Sequence, residues 1–176
     1  RKGQAVLAQS IVPPQMSGFD PAFRSEMSEH SVARARGLLD LYGYRDRDGD
    51  GFREQPDGSP LTIEYPAQPD QASRLTQDLW NKAMKRIGVR MEFKIAKWPE
   101  QLKASRAGKL MMWGLAWSAT MPDGSDFLGL MYGPNKGQSN HARFDLPAYN
   151  ELYQRQARLP DGPEREKVME EASKLM

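Results

Sequence analysis

The densest group of chemistry-bearing side chains is Asp46-Arg47-Asp48-Gly49-Asp50-Gly51, with Asp57 at the twelfth place counted from Asp46. A calcium loop of the EF-hand type sets oxygen ligands at positions 1, 3, 5 and 12 and a glycine at 6, because a hard cation needs several oxygens gathered by a sharp turn. Two departures weigh against that chemistry. The twelfth residue is Asp where the calcium loop has a bidentate Glu, and the pattern after it reads as a strand rather than a helix. The competing reading is a turn whose aspartates accept hydrogen bonds from nearby backbone amides. The departures favour the turn. A calcium-stabilised interaction module built on Asp46, Asp48, Asp50 and Asp57 stands as the alternative.

A second group lies at the end of the apolar run Leu110–Trp117, where Trp113, Gly114 and Trp117 lead into Ser118-Ala119-Thr120-Met121-Pro122-Asp123-Gly124. An aromatic wall followed by small polar residues suits a hydrogen-bonding pocket, and ligands of α/β sheets gather beyond the carboxyl ends of strands. Core tryptophans with a surface turn would produce the same pattern. Evidence of catalysis is thin. Glu26 with Glu29, Asp123 with Asp126 and Glu164 with Glu166 are carboxylate pairs in sequence only, and such spacing does not set the separation that acid–base chemistry requires. Ser118 has no neighbouring base to activate it, and no G-x-S-x-G, P-loop or H-E-x-x-H motif occurs.

Elements that would position these groups follow from periodicity. Ser31 caps a helix running to about Tyr42, with Val32, Ala35, Leu38, Leu39 and Tyr42 on one face and Gly43 closing it. Leu61, Ile63 and Tyr65 alternate as a strand. Asp70 caps a helix to about Ile87 with Leu75, Leu79, Ala83 and Ile87 facing inward, and Gly88 ends it. Val89, Met91, Phe93 and Ile95 alternate again. Trp98 to Ala107 forms a short helix, and Leu110–Trp117 reads as a central strand covered on both faces. Helices over Pro147–Arg158 and from Pro163 onward complete the chain. This alternation predicts an α/β fold with a mainly parallel sheet flanked by helices.

Composition narrows the function further. The 176 residues carry 25 Lys+Arg against 23 Asp+Glu, a net charge of +2 with no basic block, so a nucleic-acid partner is not expected. The longest apolar run is far short of the roughly 18 residues a membrane span needs. There is no cysteine and there are two histidines, His30 and His141, which excludes disulfides and thiolate sites and leaves no expected metal or other cofactor. Residues 1–30, with Pro13, Pro14, Gly18 and Pro21, read as an extended lead-in, and 31–176 as a single α/β domain. Both ends look cut, at Arg1-Lys2-Gly3-Gln4 and at Lys174-Leu175-Met176, which predicts a piece of a longer protein.

Several segments together resemble the family 5 extracellular solute-binding proteins of ABC transporters, the dipeptide and oligopeptide binding group. They are Ala35-Arg36-Gly37-Leu38-Leu39-Asp40-Leu41-Tyr42-Gly43-Tyr44 and the acidic turn after it, Pro56-Asp57-Gly58-Ser59-Pro60-Leu61-Thr62, Trp80 to Val89, Asn140 to Leu152, and the helix around Arg165 and Glu171-Ala172. The resemblance implies a periplasmic-binding-protein-like lobe of a two-lobed protein and a structural role for the acidic turn. It implies no enzyme. It implies capture of a small solute, a peptide or another polar metabolite, and delivery to an ABC permease. The site of action would be the periplasm, or the outside of the membrane for a tethered form.

In that family a Trp followed by Ala-Asp-Tyr-Pro-Asp faces the ligand, and the matching residues here are Trp117 to Asp123. Trp117 is expected as an apolar wall and Ser118, Ala119 and Thr120 as hydrogen-bonding neighbours, with Trp113 and Asn140 as secondary contacts. The peptide binders use the acidic residue of this segment to pair with the ligand's amino group, and this chain has Thr120 there. An ammonium buried without a counter-charge costs several kcal/mol. A neutral or anionic cargo is therefore expected, unless Asp123 or the other lobe supplies the charge.

Overall fold

A computed structural model of the chain describes residues 6–176; Arg1–Ala5, the start of the expected lead-in, lie outside the described residues. The chain groups into two compact units. Residues up to Glu29 join Leu115–Met176 in one, and His30–Gly114 make the other.

The His30–Gly114 unit begins with α1, Val32–Leu41, whose N-cap Ser31 accepts a hydrogen bond from Arg34 N at 3.1 Å. It stops where Gly43 takes φ +83°, a left-handed conformation that costs glycine least. The chain then runs through the acidic turn into β1, Thr62–Ala67, followed by α2, Gln71–Lys85, and β2, Arg90–Ile95. The strands pair parallel with Thr62 beside Arg90 and Ala67 beside Ile95. Tyr65 meets Phe93 edge-on at 6.1 Å and Trp80 at 6.3 Å, so aromatic packing joins β1 to its neighbours. Helix α3, Trp98–Arg106, ends this βαβα run.

Arg53 ties these pieces together. Its guanidinium, with the side chain 11% exposed, donates to Asp40 Oδ1, Tyr44 O and Ile87 O. Arg36 adds two bonds to Arg86 O. Two arginines thus satisfy carbonyls at the end of α2 that have no partner within the helix.

Two expectations are corrected, one in this unit and one across its end. Leu75 and Leu79 are 66% and 68% exposed, and Ala83 is exposed; the covered face of α2 carries Ser73, Gln77, Trp80, Met84 and Ile87. The aliphatic stripe and Trp80 compete for the core, and Trp80, with more surface to bury, takes the covered face. Secondly, Leu110–Trp117 forms no strand. Strands require a backbone partner as well as an apolar pattern, and no described segment pairs with this run. Met111, Leu115 and Trp117 are accordingly exposed.

The other unit holds the larger core, in which Val12, Leu128, Tyr149, Met169 and Ala172 are each at most 1% exposed. Three helices build it: the short α4, Ser125–Leu128, with α5, Pro147–Arg158, and α6, Pro163–Ser173. Prolines open α5 and α6 at positions where the absent N–H costs nothing. Tyr149 donates to Leu128 O at 2.7 Å, and its burial raises the phenol well above its ordinary pKa. The expected extended lead-in belongs to this packing. Val12 lies in the core, and Ser17 pairs with Asp123 as an isolated parallel bridge.

Candidate ligand-binding surfaces

In the helical unit, Trp117, Ser118, Ala119 and Thr120 lie on one irregular segment. Trp117 is 51% exposed, Ser118 and Thr120 are exposed, and Ala119 is partly covered. Among the described residues, none from Leu115 to Met121 takes part in a hydrogen bond. The segment becomes fixed at Pro122, whose carbonyl accepts from Ser17 N at 3.1 Å. Asp123 follows. Arg165 grips its carboxylate with two bonds, 2.7 and 3.2 Å, and Ser125 N donates to it at 2.8 Å. The Arg165 guanidinium, first, holds the Asp123 carboxyl below the usual carboxylate range. The negative charge of Asp123 is thereby already countered, so it is a poor partner for a ligand amine.

Asn140 is fully buried. Its amide nitrogen donates to Tyr132 O at 3.0 Å and Phe144 O at 2.8 Å, clasping the loop before α5. Trp113 belongs to the other unit, where its indole N–H donates to Gln101 Oε1 at 3.2 Å and its ring lies 5.3 Å from that of Trp98. The structure therefore gathers Trp117 to Thr120 on one exposed segment, makes Asn140 a loop clasp, and fixes Trp113 against α3.

Reading the sequence missed a crevice of about 210 Å³ in the His30–Gly114 unit. It opens at the carboxyl end of β1, beside the first turns of α2 and α3. Tyr65, Gln68, Ser73, Thr76, Trp98 and Gln101 supply hydroxyls, amides and aromatic surface, and no lining residue carries a carboxylate, amine or guanidinium. Gln101 is 4% exposed and held by Ala96 O as well as Trp113. Gly114 closes the wall, because a Cβ there would stand 2.5 Å from Tyr65 Oη. The signal for this crevice was present in the sequence: Pro66-Ala67-Gln68-Pro69-Asp70 marks the junction from a strand end to a capped helix. Ligands gather beyond strand ends, and the strand end here is that of β1, since Leu110–Trp117 forms no strand.

Asp46, Asp48 and Asp50 bring carboxylate oxygens within 4.8 Å of one another, and Asp57 stands outside that group. All are engaged locally. Asp46 accepts from Gly49 N and Gly51 N, Asp48 from Asp50 N, Asp50 from Phe52 N, and Asp57 from Ser59 N and Oγ. Asp50 also pairs with Arg90 at 2.8 Å. These bonds account for the aspartates as parts of a turn.

The sheet, its crevice and the exposed Trp-Ser-Ala-Thr segment stand on a fold that known proteins share. The chain belongs to the bacterial extracellular solute-binding proteins, family 5, matched by their middle region over residues 1–139. Among relatives, it is 22% identical to the di/tripeptide-binding protein 1 of Pseudomonas aeruginosa (strain UCBPP-PA14), covering 99% of this chain and 31% of that protein.

Solved structures agree in fold. The oligopeptide-binding protein AppA from Bacillus subtilis, in complex with a nonapeptide, matches with TM-score 0.83 at 17% identity over 99% of this chain and 35% of that one. A mannohexaose-bound periplasmic oligopeptide-binding protein from Thermotoga maritima matches with TM-score 0.79 at 16% identity, over 96% and 34%. The chain thus spans about a third of the relatives it matches. Among the described residues, no helix is long and apolar enough to cross a membrane.

Proposed function

We propose that this chain forms part of one lobe of the substrate-binding component of an ABC importer, working outside the cytoplasmic membrane. The complete protein encloses a small solute between two lobes, and the closed form delivers it to a membrane permease. No bond is made or broken, and the chain is no enzyme. Closure is driven by contacts that form only when both lobes engage the solute, which shifts the population toward the closed state. Trp117 supplies an apolar wall and Ser118, Ala119 and Thr120 polar contacts.

The observation that carries the cargo class is the absence of free charge on both candidate surfaces. The crevice at the end of β1 is lined by neutral residues, Thr120 is a hydroxyl, and Asp123 is gripped by Arg165. A cargo that is uncharged where it meets these surfaces, such as an oligosaccharide or a capped peptide, loses no buried ion pairing. That one relative holds mannohexaose and another a nonapeptide shows that related folds accommodate both chemistries.

The test is a thermal-shift series on the full-length protein with mannohexaose, an N-acetylated dipeptide amide and a free dipeptide. A probe at a hundred times its dissociation constant adds about 2.7 kcal/mol of stability. The neutral probes are expected to raise the melting temperature, and Trp117→Ala to remove that shift while the unliganded melting temperature stays put. Equal stabilisation by the free dipeptide overturns the cargo class, and silence from every probe overturns capture of these classes altogether.

A further inference from the structure

Most polar side chains lining the crevice at the end of β1 are engaged within the chain. Gln101 is held by Ala96 O and Trp113, Ser73 Oγ donates to Asp70 Oδ2 at 2.8 Å, and Thr76 Oγ1 donates to Ala72 O at 3.0 Å. Tyr65 differs. Its ring packs on Trp80 and Phe93, which orients it, while none of the described residues hydrogen-bonds its hydroxyl. Across from that hydroxyl the wall is bare backbone. A Cβ at Gly114 would stand 2.5 Å from Tyr65 Oη and 3.6 Å from its Cζ, and among the described residues it would meet no other atom within 4 Å. Gly114 is not among the glycines with positive φ, so its backbone does not call for glycine; the space beside Tyr65 does.

We propose that Tyr65 and Gly114 form a specificity-determining pair: the Tyr65 hydroxyl hydrogen-bonds one uncharged unit of the cargo, and Gly114, by lacking a side chain, keeps that hydroxyl within reach. This rests on the reading that the crevice is a cargo-contact surface. At about 210 Å³ the crevice is smaller than the roughly 300–1,000 Å³ of sites for drug-sized ligands, so it takes a single unit of a longer cargo. A phenol both donates and accepts, which suits a sugar hydroxyl or a peptide amide.

Isothermal titration calorimetry on the full-length protein measures the affinities of mannohexaose and of an N-acetylated dipeptide amide. The same titrations are run on Tyr65→Phe, Gly114→Ala and the double variant, each shown to be folded by its unliganded melting curve. Tyr65→Phe is expected to weaken at least one probe about three- to tenfold, the worth of one neutral hydrogen bond. Gly114→Ala is expected to weaken the same probe at least as much, because the methyl displaces the hydroxyl. Added to Tyr65→Phe, Gly114→Ala is expected to cost nothing further, since Cζ at 3.6 Å leaves room for the methyl. The probe that loses affinity identifies the chemistry that enters the crevice. Tyr65→Phe, which removes one oxygen, carries the test if Gly114→Ala does not fold.

Binding of both probes by Tyr65→Phe as tightly as by the unmodified protein overturns the proposal. A loss from Gly114→Ala of equal size in both backgrounds overturns it too, since the glycine then acts by a route other than the hydroxyl. If neither probe binds the unmodified protein, the capture reading itself fails, and the proposal falls with it.

Discussion

Asp123 shows how one side chain decides what its surroundings mean. In the sequence it is a free carboxylate next to a candidate site and a possible counter-charge for a cationic cargo. In the fold Arg165 and Ser125 N take up both oxygens. Because the folded carboxyl is held below its ordinary value of 3.8, its contribution to stability is complete above that value. It is lost as pH falls through the lower, folded one. The stability difference between the parent and Asp123→Asn should therefore stay constant across neutral pH and shrink only below about pH 4. Urea midpoints measured at a series of pH values check this. A difference that already closes between pH 7 and 5 would mean that the ion pair is not what holds Asp123.

Among the elements, the acidic turn is the sharpest sequence motif and has the most local explanation. Its aspartates accept bonds from amides two to five residues on, the geometry expected of a self-supporting turn. Calcium added in millimolar excess should leave the melting temperature unchanged, as should a chelator. A calcium-dependent rise would reinstate the alternative module on Asp46–Asp57.

The caps and turns were legible because their causes are local. Ser31, Gly43, Asp70 and the aspartates act within a few residues of themselves. The rotation of α2 was not legible, since Leu75 and Leu79 fit an inward stripe as well as Trp80 and Met84 do, and only tertiary packing chooses. Nor was the fate of Leu110–Trp117, because an apolar pattern does not state where its hydrogen-bonding partner is. Of the candidate surfaces, Trp117 to Thr120 are neighbours in sequence and stand together on one exposed segment, while the crevice depends on which strands pair.

For the molecule as a whole, the boundary between the two units falls at Gly114 and Leu115, next to the segment that carries no hydrogen bonds among the described residues. Exposed backbone without such ties is where proteases cut first. Limited chymotrypsin digestion should cleave first after Leu115 or Trp117, before any site in α5 or α6, and mass spectrometry of the first fragments reads this directly. An initial cut inside either helix would contradict it.

The helical unit is discontinuous along the chain: Ser17 bonds to Pro122 across 105 residues, while the His30–Gly114 unit is one uninterrupted stretch. During synthesis the uninterrupted unit has all its residues before the other does. At ribosomal rates of about 5–20 residues per second, Ser17 waits roughly 5–20 s for Pro122 to exist. Through that interval Val12 and its neighbours are without the α5 and α6 side chains that later cover them. The core of the helical unit therefore cannot close until residues on both sides of the His30–Gly114 stretch have been made.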